Sequence, residues 1–245
     1  MSHSKIEWTE RVWNPVTGCT KISAGCRNCY AERMSKRLAG RYGYPADQPF
    51  AITTHTDRLD EPLHWRKPSR IFVCSMGDLF HDDVPGRFIN EVWTRMFNTP
   101  RHTFLVLTKR PLVLFKWTFM AAKAKAWPVE DIWPAHIALG VTAENQDAFN
   151  ERVPALMKIP CQTTFISVEP MLEPIDIGGW HPDWLICGGE SGPGRRTFDT
   201  EWGRGLRDQC KEAGVPFFFK QVDKVRPIPD DLMIRQYPEA GTITV

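Results

Sequence analysis

Six short apolar runs recur along the chain, each closing in polar or small residues. They are RIFVCSMGD (70–78), HTFLVLTKR (102–110), HIALGVTAEN (136–145), QTTFISVEP (162–170), DWLICGGESG (183–192) and VPFFFKQ (215–221). Each is rich in β-branched and aromatic residues and lacks clean polar alternation, as expected of parallel strands buried on both faces. Weaker strand signals lie near 49–55 and just before Asn14. Between the runs, residues 86–97 place Phe88, Val92, Trp93 and Met96 on one helical face. Residues 146–157 fit a helix with a proline near its middle. Residues 201–213 set Trp202, Leu206 and Cys210 in an i, i+4, i+8 row that stops at Gly214. Residues 121–134 read as an excursion between units.

Alternation of strand and helix implies a parallel sheet with crossovers. Nearly every strand ends in chemically capable side chains, and barrels build their sites at the carboxyl ends of strands. The expected fold is therefore α/β: a full or partial (β/α) TIM-type barrel, one domain over residues 1–245. A cysteine-bearing loop near 14–32 opens it, and a C-terminal extension begins at about residue 222.

Composition adds bounds. With 42% hydrophobic and 24% charged residues the chain is ordinary for a globular protein, and a net charge of +2 neither demands nor excludes nucleic acid. No stretch approaches the roughly 20 apolar residues that span a bilayer, and the N-terminus lacks a secretory pattern. A cytoplasmic protein without a membrane partner is expected. Seven unevenly spaced cysteines argue against a disulfide framework. In a reducing compartment, clustered cysteines point to metal or catalysis.

The densest cluster is GCTKISAGCRNCYAER, with Cys19, Cys26 and Cys29 spaced C-x6-C-x2-C. Three thiolates from one loop can hold three irons of a [4Fe–4S] cluster and leave the fourth open, whereas electron-transfer clusters usually draw four. Zinc is the competing reading, since C-x2-C is also a zinc spacing. No second C-x2-C exists, and the nearest downstream histidine is His55. Fortuitous clustering is the third reading. Cys74, Cys187, Cys210 and Cys161 read as structural thiols.

The sequence resembles the radical S-adenosylmethionine superfamily at these residues. More closely, it resembles a phage and prophage family of three-cysteine-motif proteins distantly similar to spore photoproduct lyase. The resemblance runs in order through WNPVTGCTKISAGCRNCYAER, FVCSMGDLFHDDVP, LVLTKRP, LGVTAENQ, FISVEPML, ICGGESGPGRR, LRDQC and VPFFFKQ, about residues 6–221. Two departures stand out. The superfamily spacing is C-x3-C-x2-C, and its aromatic just before the third cysteine is here Asn28, with Tyr30 following Cys29. The resemblance implies a [4Fe–4S] cluster, S-adenosylmethionine as cofactor, a 5′-deoxyadenosyl radical and a flavodoxin- or ferredoxin-like electron donor. It also implies phage or prophage origin, action in the host cytoplasm, and a nucleobase, nucleotide or nucleic-acid substrate to be modified or repaired.

On that reading the strand ends acquire roles. Ser75, Gly77 and Asp78 would meet the methionine ammonium, although a turn and helix cap explain them equally well. Thr108 and Lys109 suit a carboxylate or phosphate, with Arg110 toward substrate. Glu144, Glu169 and Glu190 end separate strands and converge on one mouth, Glu144 and Glu169 toward the cofactor and Glu190 toward substrate. Arg195 and Arg196 in GPGRR, and Lys220 with Gln221, complete the substrate side. Trp8, Trp13 and Tyr30 are candidates for stacking a base or adenine. Against this stand a zinc-stabilised nucleic-acid-binding module and a non-enzymatic phage partner protein.

Overall fold

The computed structural model describes residues 6–238. The chain enters through β1 (Arg11–Trp13) and a short β2 (Val16–Thr17), then α1 (Tyr30–Leu38), β3 (Thr53–Thr54) and α2 (Glu61–His64). There follow β4 (Arg70–Val73), α3 (Gly86–Phe97), β5 (Thr103–Thr108), α4 (Pro111–Lys125), β6 (Ile137–Thr142) and α5 (Gln146–Leu156). The chain closes with β7 (Thr164–Val168), β8 (Trp184–Gly188), α6 (Thr200–Ala213) and β9 (Phe217–Gln221). Among the described residues, seven parallel strands lie side by side in the order β1-β4-β5-β6-β7-β8-β9, while β2 and β3 form a separate antiparallel pair. The sheet is wound in one direction only, so it curls into half a TIM-type barrel with its helices outside.

Both faces of the sheet are apolar, which is why the strands read as continuous hydrophobic runs. The outward residues Ile71, Val73, Phe104, Val106, Leu139 and Ile166 pack against α3, α4, α5 and α6. The inward residues Leu105, Ala138, Phe165, Trp184, Ile186 and Phe218 form a second cluster with Trp8, and Tyr237 packs against it. Trp184 and Phe218 sit in the first two positions of their strands, so this aromatic plug fills the N-terminal end of the half-barrel. The opposite, C-terminal end is left for polar residues.

All six apolar runs form strands, and 86–97 and 201–213 form helices close to the expected bounds, with Gly214 at φ 69° ending α6. The weak signal near 49–55 yields only the two residues of β3, outside the main sheet. Two helices depart from expectation. α1 follows Cys29 directly, and its inward stripe is short, Ala31, Met34 and Leu38. α4 is apolar all round and takes in the first half of the supposed excursion at 121–134, because Trp117, Ala121 and Ala122 are buried while Leu112, Phe119 and Met120 are exposed. Trp8 and Trp13 are wholly buried in the two cores, so neither is placed to stack a base, whereas Tyr30 is exposed.

Gly140 on β6 faces inward, where a Cβ would lie 2.5 Å from the Phe165 ring. Gly140→Ala should therefore destabilise the fold by about 1–3 kcal/mol through overpacking. Urea denaturation should show most of that loss recovered in Gly140→Ala/Phe165→Leu. An unaltered midpoint in the single variant would mean that the inner layer is loosely packed.

Candidate functional site

The mouth of the half-barrel is built by the loop after β1 and by the ends of the next strands. Leaving β1, the chain is pinned by the Asn14 side chain, whose Oδ1 accepts from Ser75 Oγ at 3.1 Å and Met76 N at 3.0 Å. Gly18, at φ 85°, runs against the Ala51 carbonyl so closely that a Cβ would lie 2.1 Å from it. It also bridges to Gly77, whose own close approach is to the Val16–Gly18 backbone. Cys19 follows. Cys26 ends a single 3-10 turn (Ala24–Cys26), and Cys29 is the N-cap of α1. The three thiols line one cavity of about 160 Å³ with Ser75, Asp78, Thr108, Lys109 and Arg110. A roomier cavity, about 660 Å³, lies by α6 and β9 and gathers none of these groups. The chemistry is in the smaller one.

Three carboxylates from alternate strands hold the loop, each with its own arginine. After β4, Asp78 accepts from Phe80 N, Thr108 Oγ1, Lys109 N and Arg110 Nη1. Arg110 then donates to Thr20 Oγ1 at 2.9 Å and toward Cys19 Sγ at 3.5 Å. After β6, the fully buried Glu144 pairs with Arg152 at 2.9 Å and accepts from the Gly25 amide at 3.3 Å, one residue from Cys26. After β8, Glu190 pairs with Arg196 at 2.7 Å and accepts from Asn28 Nδ2 at 2.8 Å, one residue from Cys29. One tether therefore reaches each cysteine or its immediate neighbour.

The thiols feel different surroundings. Burial pushes Cys19 up, Asp78 adds to this, and Arg110 offsets part of it. At Cys26 burial is outweighed by a backbone hydrogen bond at Ile22, the Lys109 ammonium and Ser23, and the thiol titrates below its ordinary range. Burial of Glu144 is likewise outweighed by Lys109, Ser23 and Arg152, so its carboxyl lies below the usual value. Cys26 also acts electrostatically on Cys19, so the two thiols are neighbours. Among the described residues, no three His, Cys, Asp or Glu side chains converge closely enough to hold a single metal ion.

The remaining candidates are placed as follows. Glu169 pairs with Lys220 at 2.8 Å and accepts from Ser167 Oγ. Gln221 donates to the Gly189 carbonyl, while its Oε1 is buried without a partner. Arg195 pairs with Asp223, and the 190–196 loop lies over the cysteine loop through Arg196 to Ala24 O and Asn28 to Gly194 O. The cations at strand ends are thus spent on protein carboxylates, except Lys109, which has no ion pair within 4 Å among the described residues. Asn14, Thr20, Asn28 and Arg152 were not foreseen as parts of the site. The partners of Asn14, Thr20 and Asn28 are distant in sequence, whereas Arg152 lies eight residues past Glu144, and only the Asn beside a cysteine marked Asn28. His81, at the start of the HDDVPG segment that could continue the Asp78 site, is buried and bonded to Thr20 at 2.7 Å.

Glu144→Gln should cost about 3 kcal/mol at neutral pH, because it leaves the Arg152 guanidinium buried beside a neutral group. The wild-type carboxyl is depressed in the fold, so its stabilisation is complete above the ordinary carboxylate range and fades as pH falls through the folded value. Denaturation midpoints of the two proteins should differ at pH 7 and converge in acid as the pH falls through that depressed value. A gap that persists in acid would assign the loss to packing.

The chain is similar in structure to a spore photoproduct lyase mutant, at 12% identity and a TM-score of 0.49, over 86% of this chain. It spans 63% of the length of that chain. No curated protein matches it. A family model described as "Protein of unknown function (DUF5131)" matches residues 3–237, and with almost its whole length inside that match the chain belongs to the DUF5131 family.

Proposed function

We propose that this chain is a radical S-adenosylmethionine enzyme that holds a [4Fe–4S] cluster on Cys19, Cys26 and Cys29 and acts on a nucleobase, nucleotide or nucleic acid. The observation that carries the proposal is the meeting of three thiols from one loop in a single cavity at the C-terminal mouth of a half-barrel. The eight ordered motifs point to the same chemistry.

The donor set suits the cluster. Thiolates are the ligating form, and the Cys26 thiol is held below its ordinary range, while burial keeps Cys19 above its own although Arg110 points at it. A zinc ion needs donors at about 2.0–2.3 Å round one point, and the described residues offer no such group. When bound, cluster and cofactor supply one-electron cleavage of a sulfonium and hydrogen abstraction from substrate.

The protein's own part is positioning. Lys109, unpaired beside Glu144 and Cys26, is the mouth cation available to a carboxylate. Glu169 with Lys220 and Ser167 offers hydrogen bonds to hydroxyl or ammonium groups on the next strand ends. The 190–196 loop lies beside the cysteine loop without lining the cavity of the three thiols. The Asn28, Arg33 and Arg196 contacts hold it there.

Anaerobic reconstitution followed by iron and sulfide analysis tests this reading. About four irons per chain are expected, with an electron paramagnetic resonance signal that changes on adding S-adenosylmethionine. Replacing any of the three cysteines by Ala should abolish both. One zinc per chain, without sulfide or signal, would replace the radical reading with a zinc-stabilised binding module.

A further inference from the structure

We propose that the α1 face beside the cysteine loop binds the backbone of single-stranded nucleic acid and leads it to the half-barrel mouth. This deepens the reading above and rests on it only for what happens to the bound strand. The first observation is charge. Residues 19–42 hold six of the chain's 31 Lys and Arg (Lys21, Arg27, Arg33, Lys36, Arg37, Arg41) but one of its 29 Asp and Glu, Glu32. That segment therefore carries +5 and the remainder of the chain −3, against a total of +2.

The second observation is how the cations are used. Lys21 and Lys36 share Glu32, at 2.8 and 3.0 Å. Arg27, Arg33, Arg37 and Arg41 have no acidic partner among the described residues, and Arg33 donates only to the Ser191 and Pro193 carbonyls. Arg27 precedes α1, Arg33 and Arg37 lie about one turn apart on it, and Arg41 follows its end. The four guanidiniums run the length of the helix. An ordinary solvated helix intersperses signs, as α6 does: there Arg204 pairs with Glu201 and Asp231, and Arg207 with Asp208 and Asp231. The arginines of the mouth, Arg110, Arg195 and Arg196, are likewise paired to carboxylates. Positive charge without an acidic partner therefore lies on α1 rather than on the 192–196 loop; α4 also carries Lys116, Lys123 and Lys125 without an acidic residue, but none of them lines the cysteine cavity.

The third observation is aromatic exposure. Tyr30 is 56% and Tyr42 75% exposed, one at each end of the same cationic track. Guanidiniums that track phosphates, with aromatic rings on which bases stack, are the recurring elements of single-strand binding. An acidic protein partner would answer the charge but not the paired tyrosines. Tyr30 adjoins Cys29, so a strand on this face passes the cavity rim. A single strand also needs no base extrusion before chemistry, which a duplex requires.

Fluorescence anisotropy with a labelled oligothymidylate, titrated with the full chain at several salt concentrations, tests the proposal. The logarithm of affinity should fall linearly with the logarithm of salt, and Arg37→Glu/Arg41→Glu should weaken binding at least about tenfold and flatten the slope by about 1.4. Tyr30→Ala should weaken binding without altering the slope. Lys116→Glu/Lys123→Glu on α4 should match wild type. Absence of binding at low salt by a folded protein overturns the proposal, and so does binding indifferent to the α1 charges. It is also overturned if the α1 double variant binds the oligonucleotide normally but loses binding to an acidic flavodoxin. The Cys19→Ala/Cys26→Ala/Cys29→Ala variant should bind the strand like wild type. Strand binding by a protein that takes up no iron would then count against the radical chemistry alone.

Discussion

The Asp78 carboxylate is one of the few buried acids among the described residues, and the mouth is organised around what it accepts. Two backbone amides, the Thr108 hydroxyl and the Arg110 guanidinium converge on its two oxygens. A charge taken out of water is tolerated only when its hydrogen-bonding capacity is met. Meeting it fixes the end of β4 against the end of β5 and leaves Arg110 aimed at Thr20 and Cys19. The same solution recurs two strands on with Glu144 and Arg152, and two further on with Glu190 and Arg196. Alternate strands of a parallel sheet thus each contribute one acid–arginine pair.

This recurrence explains why the strand ends read as a ligand site and yet behave differently. Acids and bases at the ends of apolar strands were legible because buried strands leave them nowhere else to stand. Glu144, Glu169 and Glu190 follow three adjacent strands of the sheet. Their division of labour was not legible. Glu144 and Glu190 spend acceptors on Gly25 and Asn28, 119 and 162 residues away along the chain, as well as on the nearby Arg152 and Arg196. Local pattern carries no information about such pairings. Arg195 and Arg196 looked like a phosphate grip for the same reason: the sequence around them does not contain Asp223's or Glu190's position in space.

The elements divide along similar lines. β4 to β9 were legible because burial on two faces leaves an unbroken apolar run. α3 and α6 were legible because burial on one face leaves a period of 3.6. α4 buries one side yet exposes Leu112, Phe119 and Met120, which erases the period. α1 packs Ala31, Met34 and Leu38 against a small cluster with Tyr44 and Met76, a short stripe beside a charged outer face.

Poverty of apolar burial bears on how the cysteine loop is ordered. From Cys19 to Cys29 no residue is fully buried, and no hydrophobic side chain there joins the core except Cys29 at its margin. The loop is held by polar tethers whose far ends belong to strands formed much later in the chain. Each such hydrogen bond contributes modestly on balance, whereas three metal–thiolate bonds made at once would contribute far more and would act on the folded state only. A loop tied at one point near each thiol, but not packed, is therefore well suited to being finished by the group it binds. The acid–arginine pairs set where the thiols stand, and the sulfur ligation that we propose would set how firmly they stay.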